Sequence, residues 1–87
     1  MKFTVKLSAC GNPDFRQGRY LPGVRAKRVK VPSFAWASKV RRAYIQLHEL
    51  GAGNWNGGQV YEGNVQVAQV SYNGRVWTPD GKPLEEK

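Results

Sequence analysis

The sequence predicts an α+β domain: an antiparallel β-sheet of three to five strands with one α-helix packed on one face, in β-α-β-β order. Three observations predict it. Residues 2–8 alternate charged or polar with apolar side chains, the period of a half-buried strand. Residues 33–50 are the one stretch with a sustained helical period. Residues 59–77 hold β-branched runs broken by two turn signals, Glu62-Gly63-Asn64 and Asn73-Gly74. With 87 residues, the chain has room for one core. The expected division is a compact basic domain over 1–77 and a flexible tail over 78–87.

The first strand directs Phe3, Val5 and Leu7 to one face and Lys2, Thr4, Lys6 and Ser8 to the other. It has no continuous apolar run, so it does not read as a signal peptide. Residues 10–23 contain Gly11, Asn12, Pro13, Gly18, Pro22 and Gly23, the composition of a long loop. Phe15, Tyr20 and Leu21 would pin that loop to the body. Residues 24–31 read VRAKRVKV and predict an edge strand, with a bulge allowed where the apolar phase shifts. Lysines and arginines suit an edge because they block unwanted strand pairing.

Ser33 is the expected N-cap of the helix, and Gly51 its C-terminal stop. At 100° per residue, Trp36, Val40, Ala43, Tyr44, Leu47 and Leu50 form one stripe expected to pack on the sheet. Ile45 falls opposite and is expected to be exposed, and Phe34 lies off the stripe. Residues 51–58, GAGNWNGG, read as a flexible loop that exposes Trp55. Asn73-Gly74 predicts a two-residue type I′ hairpin, pairing Tyr72 with Arg75 and Val70 with Trp77. In that register Arg75 lies over Tyr72 or Trp77. Val65 and Val67 have the opposite parity to Val70, so the strand must bend or pack on both sides. Pro79, Gly81 and Pro83 suggest a frayed end.

Charge is the most distinctive property of the chain. Formal net charge is +8 with a pI near 10.1, and residues 15–48 carry nine Lys or Arg and no acid. A surface of one sign attracts phosphates or an acidic protein face. The candidate binding residues are Arg16, Arg19, Arg25, Lys27, Arg28, Lys30, Lys39, Arg41, Arg42, Trp55 and Arg75. Trp55 would serve as a stacking or wedge residue.

The chemistry of catalysis is poorly represented. His48 is the single histidine and Cys10 the single cysteine, and they are far apart in sequence. The six acids, Asp14, Glu49, Glu62, Asp80, Glu85 and Glu86, form no evident acid–base pair. No His/Cys/Asp cluster has metal-ligand spacing, so neither a metal nor a cofactor is expected. A lone cysteine fits a reducing, cytoplasmic setting. No run approaches the roughly 18 apolar residues of a membrane span, and no membrane partner is expected. The sequence carries no helix-turn-helix pair, no RNA-recognition aromatic order and no GXXG clamp, so recognition by charge and shape is the expectation.

The opening strand MKFTVKLS, the helix SFAWASKVRRAYIQLHEL and the closing hairpin VQVAQVSYNGRVW together resemble, in architecture, the small phage and prophage orphan proteins of the anti-CRISPR type. The resemblance implies a non-enzymatic inhibitor or accessory protein in the host cytoplasm. Its partner would be a host nucleoprotein complex, such as a CRISPR effector, or the nucleic-acid path of that complex. It transfers no functional residue. The alternative is a small basic protein that binds nucleic acid through its phosphate backbone and shape.

Overall fold

The computed structural model describes residues 2–11 and 25–84. Five strands and one helix are arranged as β1 (Phe3–Leu7), β2 (Lys27–Val31), α1 (Phe34–Leu47), β3 (Gln59–Glu62), β4 (Val65–Val70) and β5 (Val76–Trp77). All strand pairs are antiparallel, and the sheet order is β2-β1-β3-β4-β5. The helix lies against β1, β4 and β2, which gives the expected α+β fold at the upper strand count. β2 is an edge strand, as its charge pattern predicts.

One face of the sheet supplies the core. Val5, Leu7, Val31, Val60, Ala68 and Val70 are buried beneath the helix. From α1 come Ala37, Tyr44 and Ile45, with Phe34 and Val40 partly buried against them. The buried stripe of the helix is therefore rotated from the expected one. Ile45 is only 8% exposed, whereas Trp36 is 50% and Leu47 70% exposed, and Ala43 is exposed as well. The reason lies in what the sheet offers. Ala37 is small enough for a close helix–sheet approach, and Phe34 meets the Phe3 ring at 4.7 Å. Tyr44 and Leu50 are buried in both readings.

The Ser33 hydroxyl caps α1 by accepting from the Trp36 N–H at 3.2 Å. The C-terminus does not use Gly51. Glu49 takes the left-handed conformation at φ 52°, donates to the Gln46 carbonyl at 3.3 Å, and is followed by Leu50 donating to the Ile45 carbonyl at 3.0 Å. This is the Schellman pattern, sealed by the burial of both Leu50 and Ile45.

The glycine-rich segment after the helix is fastened to the sheet and does not expose its tryptophan freely. A 3-10 turn at Ala52–Asn54 leads to Trp55, which bridges Ala9. The Trp55 indole N–H donates to the Val70 carbonyl at 3.1 Å, and its ring stands edge-on to Tyr44 at 6.1 Å. Gly58 has φ +97°, and a Cβ there would stand 2.0 Å from the Val70 carbonyl oxygen, so the chain can cross β4 only without a side chain.

Two features of the last hairpin differ from expectation. Asn73 does not have the positive φ that a type I′ turn requires; Gly74, at φ 88°, does. Ser71 instead donates to the Arg75 carbonyl across a three-residue loop, and Gly74 to the Ser71 carbonyl. The register moves by one residue: Val70 pairs with Val76, and Gln69 with Trp77. Trp77 consequently shares a face with Gln69, away from Val70. Upstream, a bulge between Val60/Tyr61 and β4 absorbs the parity change between Val67 and Val70, which is the first of the two alternatives the sequence left open.

Residues 78–84 are docked where a frayed tail was expected. Thr78 donates to the Lys82 carbonyl, Pro83 bridges Trp77, and Leu84 donates to the Val76 carbonyl and packs against the core. Among the described residues, no helix is long and apolar enough to cross a membrane.

Candidate nucleic-acid interface

The sheet face away from α1 is covered by no described element. Strand alternation and register assign its members. Lys30, Thr4, Tyr61 and Gln66 form one cross-strand row. Arg28 and Lys6 are paired, and Gln59, Gln69 and Trp77 form another row. None of these side chains is fully buried, and Arg28 and Lys30 are exposed. Arg75 joins them at the hairpin.

Two aromatic rings on this face each carry a guanidinium. The Arg28 guanidinium carbon lies 5.2 Å from the Tyr61 ring centroid, and that of Arg75 lies 5.9 Å from the Trp77 centroid. The Trp77 indole N–H is held by the Ser71 hydroxyl at 3.2 Å, which fixes the ring in place. The glutamines are anchored from behind. Gln69 donates to the Gly57 carbonyl at 3.0 Å, and Gln59 to the Asn56 carbonyl at 3.3 Å. No described carboxylate pairs with Lys6, Arg28, Lys30 or Arg75; the described ion pair is Lys2 with Glu62, at 3.9 Å. Among the described residues, the face is thus a positive surface without a paired carboxylate, with two flat rings set into it.

The candidates drawn from the sequence do not form one patch. Arg28 and Lys30 lie on the open sheet face at its β2 edge, and Arg75 lies on the same face at the opposite edge, beside β5. Lys27 pairs with Leu7 and so projects to the opposite side of β2. Arg25 is exposed just before β2, and its carbonyl accepts from the Tyr44 hydroxyl at 2.9 Å. Lys39 and Arg42 are exposed on the outer side of α1, in the other layer of the molecule, with the Lys39 ammonium 4.9 Å from the Trp36 ring. Arg16 and Arg19 lie outside the described residues.

Two candidates have structural positions instead. Trp55 is turned inward, as described above. Arg41 is partly buried and donates to the Tyr72 carbonyl at 2.6 Å and to the Ser38 carbonyl at 3.2 Å. Burial lowers its pKa first, and the charge of Arg42 adds to that, against a smaller opposing effect of Tyr72. Two backbone carbonyls thus take two of its N–H groups and give Arg41 a structural position at the hairpin.

Lys6, Tyr61 and Trp77 were not among the candidates drawn from the sequence. The signal for Lys6 was present in the alternation of β1, which puts it opposite the core residues. Tyr61 gave no such signal, because its place beside Lys30 and Arg28 depends on β1 lying between β2 and β3, and Trp77 joins the face only through the shifted register of the last hairpin.

Cys10 is partly buried, and its thiol faces the Gly53 carbonyl at 3.9 Å. His48 stacks edge-on against Tyr44 at 4.6 Å. Among the described residues, no three His, Cys, Asp or Glu side chains are grouped to hold a metal ion. No family model, curated protein or solved structure matches the chain.

Proposed function

We propose that this protein is a non-enzymatic binding protein, of the phage-inhibitor type, that grips nucleic acid through its open sheet face. The nucleic acid would be free or exposed along the path of a nucleoprotein complex such as a CRISPR effector, in the cytoplasm of a host cell. The observation that carries the reading is the face formed by Lys6, Arg28, Lys30 and Arg75 around Tyr61 and Trp77, which carries no acid among the described residues. Each cation that neutralises a phosphate releases a counterion, so binding must weaken as salt rises. Four contacts on a single strand give a slope of log K against log salt of roughly −3, at about −0.7 per contact. The test is fluorescence anisotropy with labelled oligonucleotides from 20 to 300 mM salt. Absence of binding to both single strands and duplexes at the lowest salt would sink the reading.

A second reading, docking on the protein part of such a complex, draws on the outer side of α1. There Trp36 and Leu47 are exposed beside Lys39 and Arg42. Native mass spectrometry of a candidate complex after nuclease treatment separates the two readings. A protein-only contact survives nuclease, and a nucleic-acid-dependent one is lost.

A further inference from the structure

We infer that the open sheet face selects single-stranded over duplex nucleic acid, with unpaired bases stacking on Tyr61 and Trp77. The inference rests on the proposed function and specifies its ligand. Both rings already hold a cation. Each has a flat guanidinium over it, Arg28 on Tyr61 and Arg75 on Trp77. A ring face that accepts one planar, electron-poor group accepts another, and a nucleobase has the same shape requirement. When a base enters, the guanidinium has a ready alternative partner in the phosphate attached to it.

Spacing supports two separate stacking positions. Tyr61 is on β3 and Trp77 on β5, with β4 between them. Trp77 is aligned with Gln69 and Gln59, two residues along β3 from Tyr61. Two interstrand steps and two residues of rise put the rings on the order of 12 Å apart. That is too far for one base to bridge and within reach of two bases on one flexible strand. A duplex cannot use either ring, because its bases are already stacked and paired, and exposing them costs a few kcal/mol per step.

The polar groups favour tolerance of sequence. The amides of Gln59 and Gln69 are engaged by backbone carbonyls, and Gln66 donates to Ala68 and Gln69. These bonds use one N–H of Gln59 and one of Gln69 and hold the amides in orientations set by the fold, and stacking itself is indifferent to base identity.

The experiment uses the full chain and two probes, a fluorescein-labelled thirty-nucleotide strand of mixed sequence without self-complementarity and the same strand annealed to its complement, at 50 mM salt. The expected result is single-strand affinity at least tenfold above duplex affinity. Tyr61→Leu should lower single-strand affinity roughly 5- to 100-fold, the range for losing one stacked base. Tyr61→Phe should keep it within about twofold, which also shows that the position tolerates replacement. Equal or tighter duplex binding, or a Tyr61→Leu variant that is folded and unimpaired, overturns the inference and leaves the proposed function standing. Binding of neither probe overturns both.

Discussion

The Arg41 guanidinium donates to the Tyr72 carbonyl at 2.6 Å and so fastens the last hairpin to the middle of α1. The Ser38 hydroxyl reinforces the joint by donating to the Gly74 carbonyl at 2.9 Å, and the Tyr72 hydroxyl donates to the Leu50 carbonyl at 3.2 Å. Three side-chain bonds therefore tie the β4–β5 hairpin to the helix. Arg41→Ala should cost about 1–2 kcal/mol in urea unfolding, the lower part of the range for a hydrogen bond from a charged group, because the site is only partly buried. Salt should change that loss little, and oligonucleotide affinity of the folded variant should be unaltered. A large fall in affinity would return Arg41 to the binding surface.

The helix shows where sequence patterning misleads. Two stripes run along α1. The line Trp36, Val40, Ala43 and Leu47 is the more apolar, and it was the natural choice for the core. The buried line includes Phe34, Ala37, Tyr44 and Ile45, with the polar Ser38 and Arg41 turned toward the hairpin. Polar residues on a buried stripe lower its apparent hydrophobicity, and their partners, the carbonyls of residues 72 and 74, are too distant in sequence to anticipate. Ile45→Ala should cost about 2–4 kcal/mol, and Leu47→Ala less than about 0.5 kcal/mol. Chemical denaturation of both variants checks the orientation, and a reversed order would refute it.

The sheet was legible for a different reason. Alternation in β1 and the edge charges of β2 are local properties, so strand identity and the inward residues Val5 and Leu7 followed directly. The candidate interface was only half legible. Arg28, Lys30 and Arg75 are conspicuous as charges, but their placement on one face with Lys6 and Tyr61 depends on strand order and on the register of β1 with β2 and β3. The one-residue change of register in the last hairpin then decides that Trp77 belongs to this face.

Glu49 occupies the left-handed position that ends α1, at φ 52°. A non-glycine residue there costs about 1 kcal/mol, and a carboxylate near a helix C-terminus faces the negative end of the dipole. Glu49→Gly should therefore stabilise the protein by about 1 kcal/mol, part of it offset by the greater freedom of glycine in the unfolded chain. Thermal unfolding should show a rise in Tm of several degrees. A fall would mean that the Glu49 side chain contributes something the backbone geometry does not reveal.

Burial raises the Tyr44 phenol above the usual tyrosine range, while the unfolded chain ionises near pH 10. Above that pH the unfolded state has lost a proton that the folded state retains, so stability falls as pH increases. The contribution is complete below pH 10 and is lost as pH rises through the higher folded value. Tyr44→Phe removes the hydrogen bond to the Arg25 carbonyl and should cost about 1 kcal/mol at pH 7. It should also flatten the decline between pH 9 and 11.5, measured by urea unfolding at each pH. An undiminished decline would show that Tyr44 is not its source.

The acid-free stretch of sequence is divided between two layers of the structure, and that division makes a sharp functional prediction. Arg28 and Lys30 face the open side of the sheet, whereas Lys39 and Arg42 lie on the outside of the helix that covers its other side. All four are exposed, so reversing their charge should not disturb the core. Both double reversals change net charge equally, by four. At 0.1 M salt the Debye length is about 10 Å, so a charge on the far layer acts weakly on a strand lying across the sheet. Arg28→Glu with Lys30→Glu should lower single-strand affinity by at least about 30-fold and bring the salt slope from roughly −3 to roughly −1.5, since two of four contacts are lost. Lys39→Glu with Arg42→Glu should lower affinity less than about threefold and leave the slope unchanged. Anisotropy titrations at several salt concentrations give both quantities. Equal losses from the two pairs would show that net charge, and not the sheet face, governs binding.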